Sequence, residues 1–241
     1  MSGDENGLPA TIAGLFGTAF ALYGRRVGLY ALLAVCALAV EYVVDIALDR
    51  DFGLVVGLHI VLSAFIAATV SIGVAYDLAR KEADWSTIVT AAALRWGVVA
   101  IVGFVGYLLL ELFAPFLFLP PEQTVFGLLV LPFIVLWGAV WVAQVAAAIE
   151  PAKSRLTLPL RALGKGVAVS ARFVNLGRLL VLSIVLILPF LVETALLAQL
   201  QAHAVPNDWF WASVPLDMLT LGPLQALATV FYIDFLRRAK R

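Results

Sequence analysis

WGVVAIVGFVGYLLLELFAPFLFL, residues 96–119, holds one charged side chain, Glu111, in a run that is otherwise uncharged. At about 1.5 Å of rise per residue, a helix of this length crosses a hydrocarbon core of roughly 30 Å. A membrane β-strand would alternate polar and apolar residues and would need only about ten of them, so a barrel is excluded. Working outward, comparable runs occupy residues 28–48, 52–76, 124–149, 179–200 and 210–236. The sequence therefore predicts an all-α, polytopic membrane protein with six transmembrane helices. Composition agrees: 63% of the residues are hydrophobic and 13% charged, and the mean hydropathy is +1.02, far above that of a water-soluble domain.

The basic residues set the orientation. Arg25 and Arg26 precede the first run, Arg80, Lys81 and Arg95 lie between the second and third, and Lys153, Arg155, Arg161, Lys165, Arg172 and Arg178 between the fourth and fifth. Arg237, Arg238, Lys240 and Arg241 end the chain, and Arg50 alone falls on the opposite side. The positive-inside rule then places both termini in the cytoplasm. With a formal net charge of zero, no nucleic-acid partner is expected, and membrane lipids, other membrane proteins or a second copy are the expected contacts. The N-terminus carries Asp4 and Glu5 where a signal peptide would be basic. Residues 1–10 are read as a disordered cytoplasmic segment and 11–241 as one domain. Cys36 is single and sits inside the first run, so no disulfide framework or Cys-pair metal motif is expected.

Amphipathic stretches precede the first, third and fifth runs. Ile12, Leu15, Phe16, Ala19, Leu22 and Tyr23 recur at helical spacing before the first. Asp84 is placed to cap a helix through Ile88 and Leu94 to Arg95 and Trp96 before the third. Leu160, Leu163, Val167 and Phe173 form a stripe before the fifth. Such helices are expected to lie in the inner interface. The ends of the second and sixth runs echo one another as Tyr76-Asp77 and Tyr232-Ile233-Asp234. The pattern suggests three units of interfacial helix plus helical hairpin, at about 11–81, 85–150 and 158–238, related by an axis along the membrane normal.

Glu150, the helix over residues 159–173, Asn175 and the terminal Tyr232-Ile233-Asp234-Phe235-Leu236-Arg237 give the chain a resemblance to a bacterial six-helix integral membrane family. That family includes the membrane domain appended to some glycerophosphodiester phosphodiesterases, together with stand-alone members. The resemblance implies the six-helix fold; the phosphodiesterase barrel has no counterpart in these residues, so it implies no hydrolase activity.

Ionisable groups within spans are costly and mark sites or interhelical bonds. Counting from span ends, Glu41, His59, Glu111, Glu193 and Asp217 share one depth, roughly 10 to 13 Å below the outer surface, with Asp45 and Asp49 continuing from Glu41 along the same helix face. Read as a site, this layer would take a cation, a divalent metal such as Mg, Mn or Zn, or an amine-bearing headgroup. Read as structure, each group is protonated or bonded to a neighbouring helix. The same two readings apply to His59 by itself.

The belt of Lys153, Arg155, Arg161, Lys165, Arg172 and Arg178 is placed to attract anionic lipid. Pro115, Pro132, Pro189, Pro215 and Pro223 are read as fixed kinks, and the small pairs Gly103 and Gly106, and Ala139 and Ala143, as close-packing positions. No nucleophile set, Gly-rich phosphate loop or HExxH motif occurs, and no cofactor is indicated. The expected function is a non-enzymatic inner-membrane scaffold, accessory subunit or lipid-interacting module. The alternative is a small transporter or carrier that uses an acidic cavity open to the outer face.

Overall fold

The computed structural model describes residues 8–47, 52–117, 124–151, 157–170, 172–202 and 209–239, and every regular element among them is α-helical. In chain order these are α1 (Ile12–Arg25), α2 (Val27–Ala47), α3 (Phe52–Leu78), α4 (Trp85–Ala93), α5 (Trp96–Leu117), α6 (Thr124–Ile149), α7 (Leu158–Ser170), α8 (Phe173–Ala202) and α9 (Trp209–Arg238). The long helices follow the apolar runs closely, with α8 beginning at Phe173 rather than 179. Among the described residues, five helices are long and apolar enough to cross a membrane, and α4 with α5, bent by 62° at their break, makes a sixth if that pair is one span.

α3, α6 and α9 touch one another and form the inner layer. Their spanning windows are the most buried, at 56%, 56% and 61%, against 28% for α2 and 33% for α8. Each outer helix sits against two inner ones: α2 on α3 and α9, α5 on α3 and α6, α8 on α6 and α9. Consecutive long helices run antiparallel. Arg26 and Glu41 of the first pair meet Asp77 and His59 in descending order, and Gly103 and Gly106 of α5 face Gln144 and Val140 of α6. The outward sides of α2, α5 and α8 carry exposed Val35, Val43, Phe104, Leu108, Ile184 and Leu188, the surface that a lipid solvent favours.

Small residues set the closest approaches, as their spacing led one to expect. A Cβ at Gly103 would come within 2.8 Å of Gln144 Nε2, and one at Gly106 within 3.0 Å of Val140 Cγ1. Dispersion packing and small interfaces hold such helices together where lipid offers no hydrophobic drive between them.

The short helices are packed under the bundle as well as lying across its end. α1 is capped by Thr11, whose Oγ1 accepts from Gly14 N–H at 3.2 Å. It buries Leu15, Ala19 and Leu22 against α9 and α3, with Phe16 edge-on to Phe231 at 5.8 Å. α4 starts as its sequence predicts, Asp84 accepting from Thr87 N–H at 2.9 Å. It does not run on through Arg95, because the chain turns after Leu94 and restarts as α5 at Trp96.

α7 departs from the expected stripe. Leu160 is 75% exposed and Val167 45%, while Leu158, Ala162 and Val169 are buried. The reason is how near α7 comes to α6: a Cβ on Gly166 would stand 2.8 Å from the backbone Cα and N of Ala143. At that contact a larger side chain has no room, and of the expected stripe Leu163 packs inward while Leu160 and Val167 turn away.

α3 ends in a Schellman turn, with Lys81 N–H donating to Tyr76 O at 3.0 Å and Arg80 N–H to Asp77 O at 3.1 Å. Arg80 occupies the left-handed position at φ 52°, where glycine is the usual residue and a side chain costs about 1 kcal/mol.

Candidate functional site

Glu41 is fully buried on the inward face of α2. Its partner is His59 on α3, whose Nδ1 lies 3.2 Å from each carboxylate oxygen. The bond joins α2 to α3, and Nε2 faces Ser63 Oγ, one turn further along α3, at 3.4 Å. The imidazole is thus held between Glu41 of α2 and Ser63 of α3. Asp45, one turn beyond Glu41, is half-buried.

His59 also lines a cavity of about 320 Å³ enclosed by α3, α5, α6, α8 and α9. Most of its wall is apolar; the polar groups are His59, Ser63, Tyr107, Gln144 and Thr220, together with Trp137. Ala64, Ala67, Gly103 and Gly106 leave the space that larger side chains would fill. Trp137 is fixed between Phe133 and Trp141, with ring centroids at 6.2 and 6.4 Å. Its Nε1 is buried with no hydrogen-bond partner. An unmatched buried donor costs about 1–3 kcal/mol. An apolar chamber of this size with a few convergent polar groups is what a small-molecule site requires. Sequence reasoning passed over Trp137, Tyr107 and Gln144, since an aromatic or amide inside a span reads as packing until its neighbours are known.

Of the residues proposed for the acidic layer, Glu41 and His59 are brought together. Glu111, Glu193 and Asp217 fall on α5, α8 and α9, but their side chains lie outside the described residues, as do Asp49 and Arg50. Among the described residues, no three His, Cys, Asp or Glu side chains are grouped to hold a metal ion.

At the opposite end of the bundle, charged groups join the helix termini. Arg26, at the start of α2, donates to Asp77 at the end of α3 through Nε at 3.0 Å and Nη2 at 2.7 Å, and to Ala83 O through Nη1 at 3.0 Å. Its pKa is raised, chiefly by the hydrogen bonds to Asp77. Arg178 donates to Asp234 at 2.6 Å, and Arg238 donates to the same oxygen at 3.0 Å. Ala10 O accepts from Arg178 as well, which pins the chain ahead of α1. Glu150 accepts from Tyr232 Oη at 2.6 Å and pairs with Lys165 Nζ at 2.5 Å. Asn175 donates to Val169 O at 2.8 Å.

Three members of the basic belt are therefore engaged internally, since Arg172 also donates to Ala239 O at 2.6 Å. Arg161 stays exposed, and Lys153 and Arg155 lie outside the described residues. No protein-family model, curated protein or solved structure matches this chain.

Proposed function

We propose that this chain is a non-enzymatic inner-membrane module of six spans, with both termini cytoplasmic, which holds a lipid segment or other small amphipathic molecule in the cavity beside His59. The observation that carries the reading is a mainly apolar 320 Å³ cavity with a few polar groups, lined in part by Trp137, whose Nε1 is buried and unpartnered. A ligand with an apolar body and one hydrogen-bond acceptor, such as an ester or amide carbonyl, would satisfy that donor. Purification of the full chain in mild detergent, followed by native mass spectrometry, tests it. The expected result is a bound small molecule that is lost from Trp137→Phe, which keeps the ring and removes the N–H, and from Gly106→Leu, which fills the space. Ligand-free protein, or equal retention in both variants, would overturn it.

We infer also that the helices form three units, at about 11–81, 85–150 and 158–238, around an axis along the membrane normal. The contact order supports this: α1 on α9, α4 on α3 and α7 on α6 stand in the same relation, as do α2 on α9, α5 on α3 and α8 on α6. The residues behind the resemblance to the six-helix family, Glu150, Asn175, Tyr232 and Asp234, are bonded side chains at the basic end. They would serve that family as a structural lock rather than as a catalytic set.

A second reading, a small carrier, is favoured by one observation: His59, the partner of the buried Glu41, lines the cavity. Proteoliposome uptake that is coupled to pH and abolished in His59→Leu would support it, and uptake equal to that of empty vesicles would remove it.

A further inference from the structure

At the basic end, Arg26 and Arg178 are each neutralised by a carboxylate on the next long helix, Asp77 and Asp234. Arg95 stands in the corresponding place, immediately before α5, and the carboxylate at the end of the next helix is Glu150. That carboxylate is already occupied by Tyr232 and Lys165. Arg95 is left with a buried Nη1 that has no hydrogen-bond partner.

Beside it opens a cavity of about 430 Å³ between the end of α3, the α4–α5 corner and the end of α6, into whose wall Lys81 and Tyr76 also enter. The remaining lining is aliphatic, from Ala75, Leu94 and Ile149 among others, and contains no carboxylate. Arg95 and Lys81 thus both line a pocket in whose wall no acidic residue stands against them. At the same corner Leu94 and Trp96 are exposed, at 60% and 38%, and tryptophan at such a position sits at headgroup depth.

We propose that the Arg95–Lys81 cavity binds a phosphate-type anion, presented by a phospholipid headgroup or by a free phosphate ester. The planar guanidinium supplies a directed N–H pair for two phosphate oxygens, and the Lys81 ammonium supplies a mobile point charge. Leu94 and Ile149 form an apolar margin along which an acyl chain can leave the pocket. The site is separate from the cavity beside His59, so its failure leaves that reading untouched.

The test uses the full chain in a mild non-ionic detergent, titrated in separate arms with phosphatidylglycerol, phosphatidylcholine and glycerol 3-phosphate, and read by thermal shift and by adducts in native mass spectra. Phosphatidylglycerol is expected to raise the melting temperature and form an adduct at concentrations where phosphatidylcholine does neither. Arg95→Gln should weaken the effect about tenfold, the loss expected for one charge-assisted hydrogen-bonding group. Lys81→Gln, on an exposed side chain, provides the second variant should Arg95→Gln fail to elute as a single species, and should weaken it several-fold. A response to glycerol 3-phosphate equal to that of the lipid assigns the site to a soluble phosphate ester, and a response to the lipid alone assigns it to a headgroup. Binding of phosphatidylglycerol that neither variant reduces, or no difference between the two lipids, overturns the proposal.

Discussion

Arg26 and Asp77, 51 residues apart in the chain, meet in a two-bond fork at 3.0 and 2.7 Å, and the third guanidinium nitrogen holds Ala83 O at 3.0 Å. One side chain thus ties the start of α2 to the end of α3 and to the loop that leads into α4. Both partners are nearly buried, with side-chain exposures of 13% and 10%. Removing one would leave the other charged and poorly solvated, a loss of about 3 kcal/mol. Arg26→Ala should therefore lower the unfolding midpoint in detergent sharply. Arg26→Lys, which keeps the charge but not the fork, should recover only part of it. Matching midpoints for Arg26→Ala and the unmodified chain would mean that the fork contributes nothing to stability.

The cap of α4 gives a pH dependence. Hydrogen bonds from Thr87, and then from Ser86, hold the Asp84 carboxyl below its ordinary pKa of 3.8. Because the folded-state pKa is depressed, the cap's contribution is fully present above 3.8 and is lost as pH falls through the lower folded value. Asp84→Asn accepts the same bond without titrating. It should match the unmodified chain at pH 6 and fall less steeply than it below pH 4, as measured by thermal unfolding at each pH. Parallel acid profiles for the two proteins would remove Asp84 from the account.

Gly164 and Gly166 on α7 make a matched pair. A Cβ at Gly164 meets nothing within 4 Å, whereas one at Gly166 meets the backbone of Ala143 at 2.8 Å. Backbone cannot swing aside, so Gly166→Ala should lift α7 from α6 and cost about 2 kcal/mol, within the usual range for overpacking. Gly164→Ala should instead stabilise by up to about 1 kcal/mol through helix propensity. A thermal unfolding comparison of the two variants checks the sign difference, and destabilisation of both by the same amount would contradict the close approach.

α7 also marks the boundary of what was legible in the sequence. The long helices were readable because lipid demands uninterrupted apolar runs, and the ends of α3 and α6 fell within two residues of their apolar runs. The amphipathic helices were readable as helices, but the buried face of α7 was not. Hydrophobicity pointed to Leu160 and Val167, while the protein buries Ala162 and Gly166 because backbone proximity selects small size over apolar area. Charge asymmetry located the basic residues yet could not say which were paired. Only the fold reveals that Arg178 is engaged by Asp234 while Arg95 keeps an unpartnered nitrogen. The cavity beside His59 was equally hidden, since it is bounded by five helices distant in sequence.

The pairing of Glu41 with His59 can be separated from their individual costs by a double-mutant cycle. Glu41 is fully buried and His59 is the side chain that reaches both its oxygens at 3.2 Å. In His59→Leu the buried carboxyl would lose this bond and be left unmatched inside the bundle, so that variant should be destabilised by about 3 kcal/mol. Glu41→Leu leaves an imidazole that still faces Ser63 and is partly exposed, and should cost less. The double variant removes both polar groups and should be more stable than His59→Leu alone, because two apolar side chains between the helices carry no desolvation penalty. The measurement is the unfolding midpoint of all four proteins in one detergent. Strict additivity of the two single changes would show that the acid and the imidazole do not depend on each other.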